Sequence, residues 1–308
     1  MTQSIIRLLE ESFGDRLQQN VRMSNYTTSR VGGLALGLLP INTLDEMREA
    51  ATELWSHQVP FKVLGSGANV LISDKGYPGI ILLNRCHNIK IYSQEESPYV
   101  YCESGANFGA MARQSALRGL TGLEWANSIP GTVGGAVYGN AGAHGSDVSK
   151  TLINTTVLFR EEGEKVLNSE GMGYAYRSSF LKRERLPSII LSATFAVLKS
   201  TREAAWQKLT EFTNHRQKTQ PGGASTGSTF KNPPGDYAGR LIEAAGLKGH
   251  AEGNAAFSSQ HANFIVNDGT ASAQDYYKLI RLAQKTVKEK FGVDLELEVE
   301  LLGEFYEA

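Results

Sequence analysis

The sequence is poor in the residues that build metal and redox centres. Only two of its 308 residues are cysteine, Cys86 and Cys102. Their spacing matches neither a zinc site nor a C-x-x-C redox pair, so both read as ordinary buried or half-buried thiols. The six histidines are scattered, with no H-x-x-x-H pair, and no metal is expected. Charge of one sign is lacking too. Lys and Arg number 31 against 32 Asp and Glu, a net charge of -1, which supplies no basic field for nucleic acid or an anionic membrane. No segment approaches the ~20 apolar residues of a membrane span. The opening MTQSIIRLLEESFGDRL reads as a short amphipathic helix carrying Ile5, Ile6, Leu8 and Leu9, not as a signal peptide. A cytoplasmic location is expected, and no obligate protein partner is evident. The phosphate-loop pattern G-x-x-x-x-G-K-[ST] is absent.

What remains is the composition of a soluble globular chain, 41% hydrophobic and 20% charged, long enough for two or three lobes. Thr43 and Glu46 form a capping box opening a helix to about His57. Phe61–Leu64, VLIS, GIILL and Tyr99–Gly105 read as strands, and Phe108–Arg118 as a helix stopped by Gly119. Thr155–Phe159 and Ser188–Leu198 are further strands, and a boundary is placed near Ser200. Beyond it, Thr201–Arg216 is helical, Gln220–Pro234 is a loop and His261–Asn267 a strand. Ser272 and Asp275 cap a helix ended by Gly292. DLELEVELL closes the chain as a strand, with Leu295, Leu297, Val299 and Leu301 on one face and Glu296, Glu298 and Glu300 on the other.

Between Gly122 and Gly145 stand seven glycines in 24 residues. Such backbone approaches a ligand closely, and its amides form anion-binding nests. The block reads either as a loop for a phosphate-bearing cofactor or as tight turns between short strands. Gly65-Ser66-Gly67-Ala68-Asn69 follows a strand, as a phosphate loop does, but Val70 breaks G-x-G-x-x-G and another strand follows, which disfavours a Rossmann site. Arg177, in Tyr176-Arg177-Ser178-Ser179, suits bidentate clamping of a carboxylate, or is simply exposed. Ser228, in Gly227-Ser228-Thr229-Phe230-Lys231-Asn232-Pro233, lacks a G-x-S-x-G elbow and an identifiable histidine base, so it reads as structural or as a proton donor rather than a nucleophile. Periodicity does not choose among the three glutamates of the last strand.

Taken together, TSRVGG, LGSGANVLISD, GLEWANSIPGTVGGAVYGNAGAHG, YRSSF, GSTFKNP, HANFIVN and LELEVELLGE resemble, in order, the UDP-N-acetylenolpyruvoylglucosamine reductase family of flavoenzymes. The resemblance implies an α+β FAD-binding fold of the vanillyl-alcohol-oxidase type. Two FAD-binding lobes, residues 1–90 and 91–200, would precede a C-terminal substrate-binding domain, 201–308. The FAD pyrophosphate is assigned to Gly65, Ser66, Gly67, Ala68 and Asn69, and to Ile129, Pro130, Gly131, Thr132, Gly134, Gly135, Asn140, Ala141 and Gly142. Ala68-Asn69 stands where some flavoprotein relatives carry an attaching histidine, so non-covalent FAD is expected. The short spacing from YRSS to GSTFKNP places the chain in the branch without an inserted tyrosine-bearing loop.

The resemblance also implies a reaction. NADPH reduces FAD, and the enolpyruvyl group of a UDP-sugar then takes hydride at its vinyl terminus, leaving an enolate beside the carboxylate. Arg177 matches the family's carboxylate-holding arginine, Ser228 its proton donor to the α-carbon, and Glu298 its catalytic glutamate. Glu298 helps only as the neutral acid, which burial favours. Asn232 and His261 match contacts to the nucleotide, and Lys218 or Thr219 a phosphate contact. Glu300 stands where some members carry arginine. Two other readings share parts of this pattern: a flavin oxidase or dehydrogenase of the same fold with another substrate, and a non-catalytic nucleotide-binding protein.

Overall fold

A computed structural model describes residues 2–306. The chain forms two compact units. The first comprises Met1–Leu17, Leu39–Gly65 and Ile81–Arg216; the second comprises Gln18–Leu38, Ser66–Ile80 and Gln217–Ala308. The segments interleave because strands Leu34–Ile41 and Tyr77–Asn84 each begin in the second unit and end in the first.

The first unit carries helices α1 (Thr2–Phe13), α2 (Leu44–Ser56), α3 (Phe108–Leu117), α4 (Val133–Gly139) and α5 (Phe180–Arg183), with most of α6 (Arg202–Thr219). Helix α2 starts where the capping signal puts it. The Thr43 hydroxyl accepts from the Glu46 N–H at 3.1 Å, and the Glu46 carboxylate accepts from the Asn42 N–H at 2.7 Å. A five-stranded antiparallel sheet runs in the order Gly163–Asn168, Leu152–Phe159, Ser188–Ala196, Tyr99–Glu103, Ile89–Tyr92. Its core centres on Phe108, whose ring meets Trp125 edge-on at 5.5 Å and Phe195 at 6.1 Å. Cys86 and Cys102 are buried, and burial pushes both thiols up to about 12, which keeps them out of nucleophilic chemistry at neutral pH.

Helix α6 begins near the expected place, but it packs Ala205 and Leu209 against Ala116 of α3, so the chain leaves the first unit only after Arg216. And part of the glycine block is helical: α4 holds three glycines in seven residues. Glycine is a poor helix former, but α4 is anchored by bonds remote in sequence, from Val133 N–H to Ala106 O at 2.9 Å and from Gly134 N–H to Ser104 O at 2.7 Å.

The second unit has a four-stranded antiparallel sheet, Ala224–Ser228, Phe264–Asn267, Ala255–Phe257, Ala251–Glu252, with helices α7 (Ala238–Ala244) and α8 (Ala273–Phe291). Phe230, Phe257, Tyr276, Leu279 and Val287 fill its core. The expected C-terminal strand is shorter than its alternation suggests. Only Glu300–Leu302 pairs as a strand, parallel to Val70–Ile72, while Leu297 makes a single bridge to Phe230. Helix α8 has the expected Ser272–Asp275 capping box and ends at Gly292 with φ 71°. A second carboxylate also serves its first turn: Asp74 accepts from the Ala273 and Gln274 N–H groups, each at 2.9 Å. These donors have no partner inside the helix, and a negative charge there interacts favourably with the positive end of the helix dipole. Asp74→Ala is therefore expected to lower stability by about 1–2 kcal/mol, read as a fall in thermal midpoint; an unchanged midpoint would contradict this role. No described helix is long and apolar enough to cross a membrane.

Candidate functional site

In the first unit Gly65 meets the glycine block. A Cβ on Gly65 would stand 2.4 Å from Thr132 Oγ1, so only glycine lets the loop after strand Phe61–Leu64 lie against Ile129–Gly135. This edge-to-edge cradle fits a phosphate-bearing group. The Val133 and Gly134 amides are spent on Ala106 and Ser104; those of Gly131, Thr132 and Gly135 are not among these bonds. Beside Ile129 and Pro130 opens a pocket of ≈ 320 Å³ that Arg113, Asn127, Ser128 and Arg216 also line, with no carboxylate. Arg113 donates to Asn127 Oδ1 at 2.8 Å. Burial lowers the Arg216 pKa from its ordinary value. Neither arginine was singled out by sequence reasoning, since each stands on a helix with no motif around it. His144 stacks on Phe212 of α6 at 4.2 Å, docking the end of the glycine block onto that helix.

Arg177 sits in a tight turn closed both ways between Ala175 and Ser178, at 3.0 and 3.1 Å. Its φ is 53°, a left-handed conformation costing a non-glycine residue about 1 kcal/mol, of the kind that clusters at functional sites. The end of the glycine block holds this turn. Asn140, 4% exposed and itself left-handed at φ 46°, donates from Nδ2 to Ala175 O at 3.0 Å and accepts from Ser149 N–H at 3.0 Å. Ser179 Oγ donates to Tyr138 O at 2.7 Å. Arg177 Nη2 donates to Gly142 O at 2.7 Å, and a Cβ on Gly142 would stand 2.6 Å from Ser146 O and 3.1 Å from Arg177 Nη1. Asn140 and Gly142, which the sequence assigns to the cofactor, support Arg177 in this structure.

In the second unit Ser228 ends strand Ala224–Ser228 and is half-buried. Register slips between Ser225, opposite Val266, and Ser228, opposite Phe264. Three steps on one strand face two on the other, a bulge made at Gly227 with φ 76°, and such a bulge re-aims the residue beside it. The next residue ties Ser228 to the last segment, because Thr229 O accepts from Glu298 N–H at 3.0 Å. The three glutamates now separate. Glu296 is exposed and pairs with Lys231, whereas Glu298 and Glu300 are half-buried. Asn69 pins this segment, donating from Nδ2 to Glu298 O and accepting from Glu300 N–H, both at 3.0 Å. Gly67 O accepts from Thr28 N–H at 3.1 Å. Asn263, 3% exposed, grips the Phe230 backbone on both sides, at 2.9 and 2.8 Å; sequence reasoning passed over it.

Asn232 and His261 meet at the first turn of α7. Asn232 Oδ1 accepts from Ala238 N–H at 3.0 Å, and a Cβ on Gly239 would stand 3.0 Å from His261 Cε1. Lys218 is exposed in the last turn of α6, and its carbonyl accepts from Gln260, next to His261, at 3.0 Å.

The comparisons with known proteins match both parts of the chain. The model of the UDP-N-acetylenolpyruvoylglucosamine reductase C-terminal domain matches residues 217–302, from the start of the last segment of the second unit, and an FAD binding domain model matches residues 35–166, which include both glycine loops. The UDP-N-acetylenolpyruvoylglucosamine reductase of Chloroflexus aggregans is 40% identical over 96% of this chain and 100% of its own length. That of Bacillus subtilis is 36% identical over 98% and 99%. The crystal structure of the reductase from Thermus caldophilus superposes with a TM-score of 0.78 at 34% identity, covering 94% of this chain and 99% of that one. The α+β FAD-binding fold with a C-terminal domain is as the motifs imply, and with both domains matched and relatives aligned over almost their whole length, the chain belongs to the UDP-N-acetylenolpyruvoylglucosamine reductase family.

Proposed function

We propose that the chain is an FAD-dependent UDP-N-acetylmuramate dehydrogenase, which uses NADPH to reduce the enolpyruvyl group of UDP-N-acetyl-3-O-(1-carboxyvinyl)-glucosamine in peptidoglycan synthesis. The observation that carries this reading is the Thr229 carbonyl, which joins the strand bearing Ser228 to the segment bearing Glu298. It brings a hydroxyl donor and a carboxyl group from motifs 70 residues apart into one neighbourhood.

Bound FAD would supply the redox chemistry, a hydride equivalent from NADPH for the vinyl terminus of the substrate. Gly65, Ser66, Gly67, Ala68 and Asn69, with Ile129, Pro130, Gly131, Thr132, Gly134 and Gly135, would hold the cofactor without a covalent link, and Asn140, Ala141 and Gly142 would contribute there, Asn140 and Gly142 while supporting Arg177. The residues' own task is charge. Reduction leaves an enolate dianion on the substrate, and preorganised donors are the effective remedy. Arg177 holds the carboxylate through its planar fork. Glu298, as the neutral acid, donates a hydrogen bond to the developing oxyanion. Ser228 gives its proton to the α-carbon and regains one from water, so hydride and proton complete the C–C single bond. Lys218, Asn232 and His261 bind the nucleotide. The reading places the enzyme in the cytoplasm with no obligate protein partner.

Glu298→Gln tests the assignment. The amide still donates, so product formation is expected to slow by less than the roughly 10²–10⁴-fold of a lost proton donor, with FAD content unchanged. A variant that binds no FAD would make Glu298 structural.

A further inference from the structure

An exposed tyrosine lies beside the nucleotide contacts and has no part in the reading above. Tyr237, 68% exposed, immediately precedes α7. Single exposed aromatic rings are common on protein surfaces, but the backbone under this one is tied down. Its N–H donates to Asp236 Oδ1 at 2.7 Å, and Asp236 is gripped through both carboxylate oxygens by Arg240. That grip, with the Tyr237 N–H, holds the Asp236 carboxyl at about 2. The following amide, Ala238 N–H, is capped by Asn232. The ring therefore stands on a fixed turn, and stacking on it orders little backbone.

Two donors lie at the same turn, Asn232 at the amide of Ala238 and His261 against Gly239. Asn232 uses Oδ1 as the acceptor for Ala238, so its Nδ2 amino group is the end left to face a ligand. His261 Nδ1 accepts from Asn263 N–H at 3.2 Å, so the neutral ring carries its proton on Nε2. Burial, aided by Lys248, lowers the His261 pKa from its ordinary value and keeps the ring neutral at pH 7. A planar face beside two N–H donors is complementary to uracil, a flat ring whose two carbonyl oxygens are its acceptors. Cytosine offers an amino group where uracil has O4, setting donor against donor.

We infer that Tyr237 is the base-stacking residue of the substrate site and that, with Asn232 and His261, it selects a uracil nucleotide. This rests on the UDP-sugar reading and adds a specificity-determining residue to it.

The test uses the FAD-loaded full chain, with UDP and CDP as probes, calorimetry for affinity and proton NMR for the uracil H5 and H6 signals. The wild-type protein is expected to bind UDP at least tenfold more tightly than CDP and to shift H5 and H6 upfield by ring current. Tyr237→Leu should weaken UDP roughly 10- to 100-fold, abolish the upfield shift and raise KM with kcat unchanged. Tyr237→Trp should restore affinity and shift. Because the side chain is exposed, neither variant disturbs the core, and the FAD-to-protein ratio checks this. Equal UDP affinity in wild type and Tyr237→Leu would overturn the inference and leave the substrate reading standing. A wild-type protein that is bleached by NADPH but binds no UDP would overturn the substrate reading, and the inference with it.

Discussion

Ser228→Ala is expected to leave bleaching of the flavin by NADPH unchanged while slowing product formation by about 10²–10⁴-fold. The two halves separate because the proposed mechanism uses Ser228 only after hydride has reached the substrate. Its hydroxyl is a weak acid, but the α-carbanion is a strong base, and the transfer proceeds if the geometry is tight. The structure supplies tightness from the backbone. The Gly227 bulge turns the strand, and the next residue is bonded on both sides, from Thr229 N–H to Asn263 O at 2.8 Å and from Glu298 N–H to Thr229 O at 3.0 Å. None of these bonds uses the Ser228 side chain, so alanine removes the proton donor and keeps the scaffold. Rapid-mixing absorbance reads each half-reaction separately. Normal turnover in the variant would remove Ser228 from the mechanism.

Arg177→Lys should lower kcat about 10²–10³-fold, the scale of one lost oxyanion donor, although the formal charge is kept. Arg177 bonds Gly142 O at 2.7 Å from a turn that Asn140 fixes. An ammonium cannot keep that bond and also present a planar pair of donors to a carboxylate. Lysine must in addition adopt the left-handed φ of 53°, with no compensating bond to Gly142 at its shorter reach. Steady-state kinetics with FAD content held constant measures the effect; unchanged kcat and KM would remove the clamp from the account.

How much of this was legible in the sequence depended on the range of the forces involved. The caps at Thr43 and Ser272 and the stop at Gly292 are local, each satisfied within four residues, and could be read directly. Helix α4 could not, because its anchors at Ser104 and Ala106 lie in another part of the first unit and override three glycines. The last strand was overread: its alternation is real in the burial of Leu295 and Val299, yet only three residues find a partner strand. Glu298 could be picked out only through the family motif, since periodicity treats it like Glu296 and Glu300. The supports were the least visible. Asn140 reaches a carbonyl 35 residues away and Asn263 an amide 33 residues away, and nothing near either residue marks it. Tyr237 was missed for a different reason: an exposed aromatic in a loop carries no periodic signal, and its neighbours become apparent only once α7 is built.

The most direct test of the central claim is an anaerobic visible-spectrum titration of the purified protein, first with NADPH and then with the enolpyruvyl UDP-sugar. The account predicts a yellow protein that bleaches on NADPH and regains its colour when the vinyl substrate is added. Bleaching without recovery would keep the flavoenzyme and contradict the substrate, moving an oxidase or dehydrogenase of the same fold to the front. A colourless protein that binds the UDP-sugar without turnover would contradict the enzyme altogether.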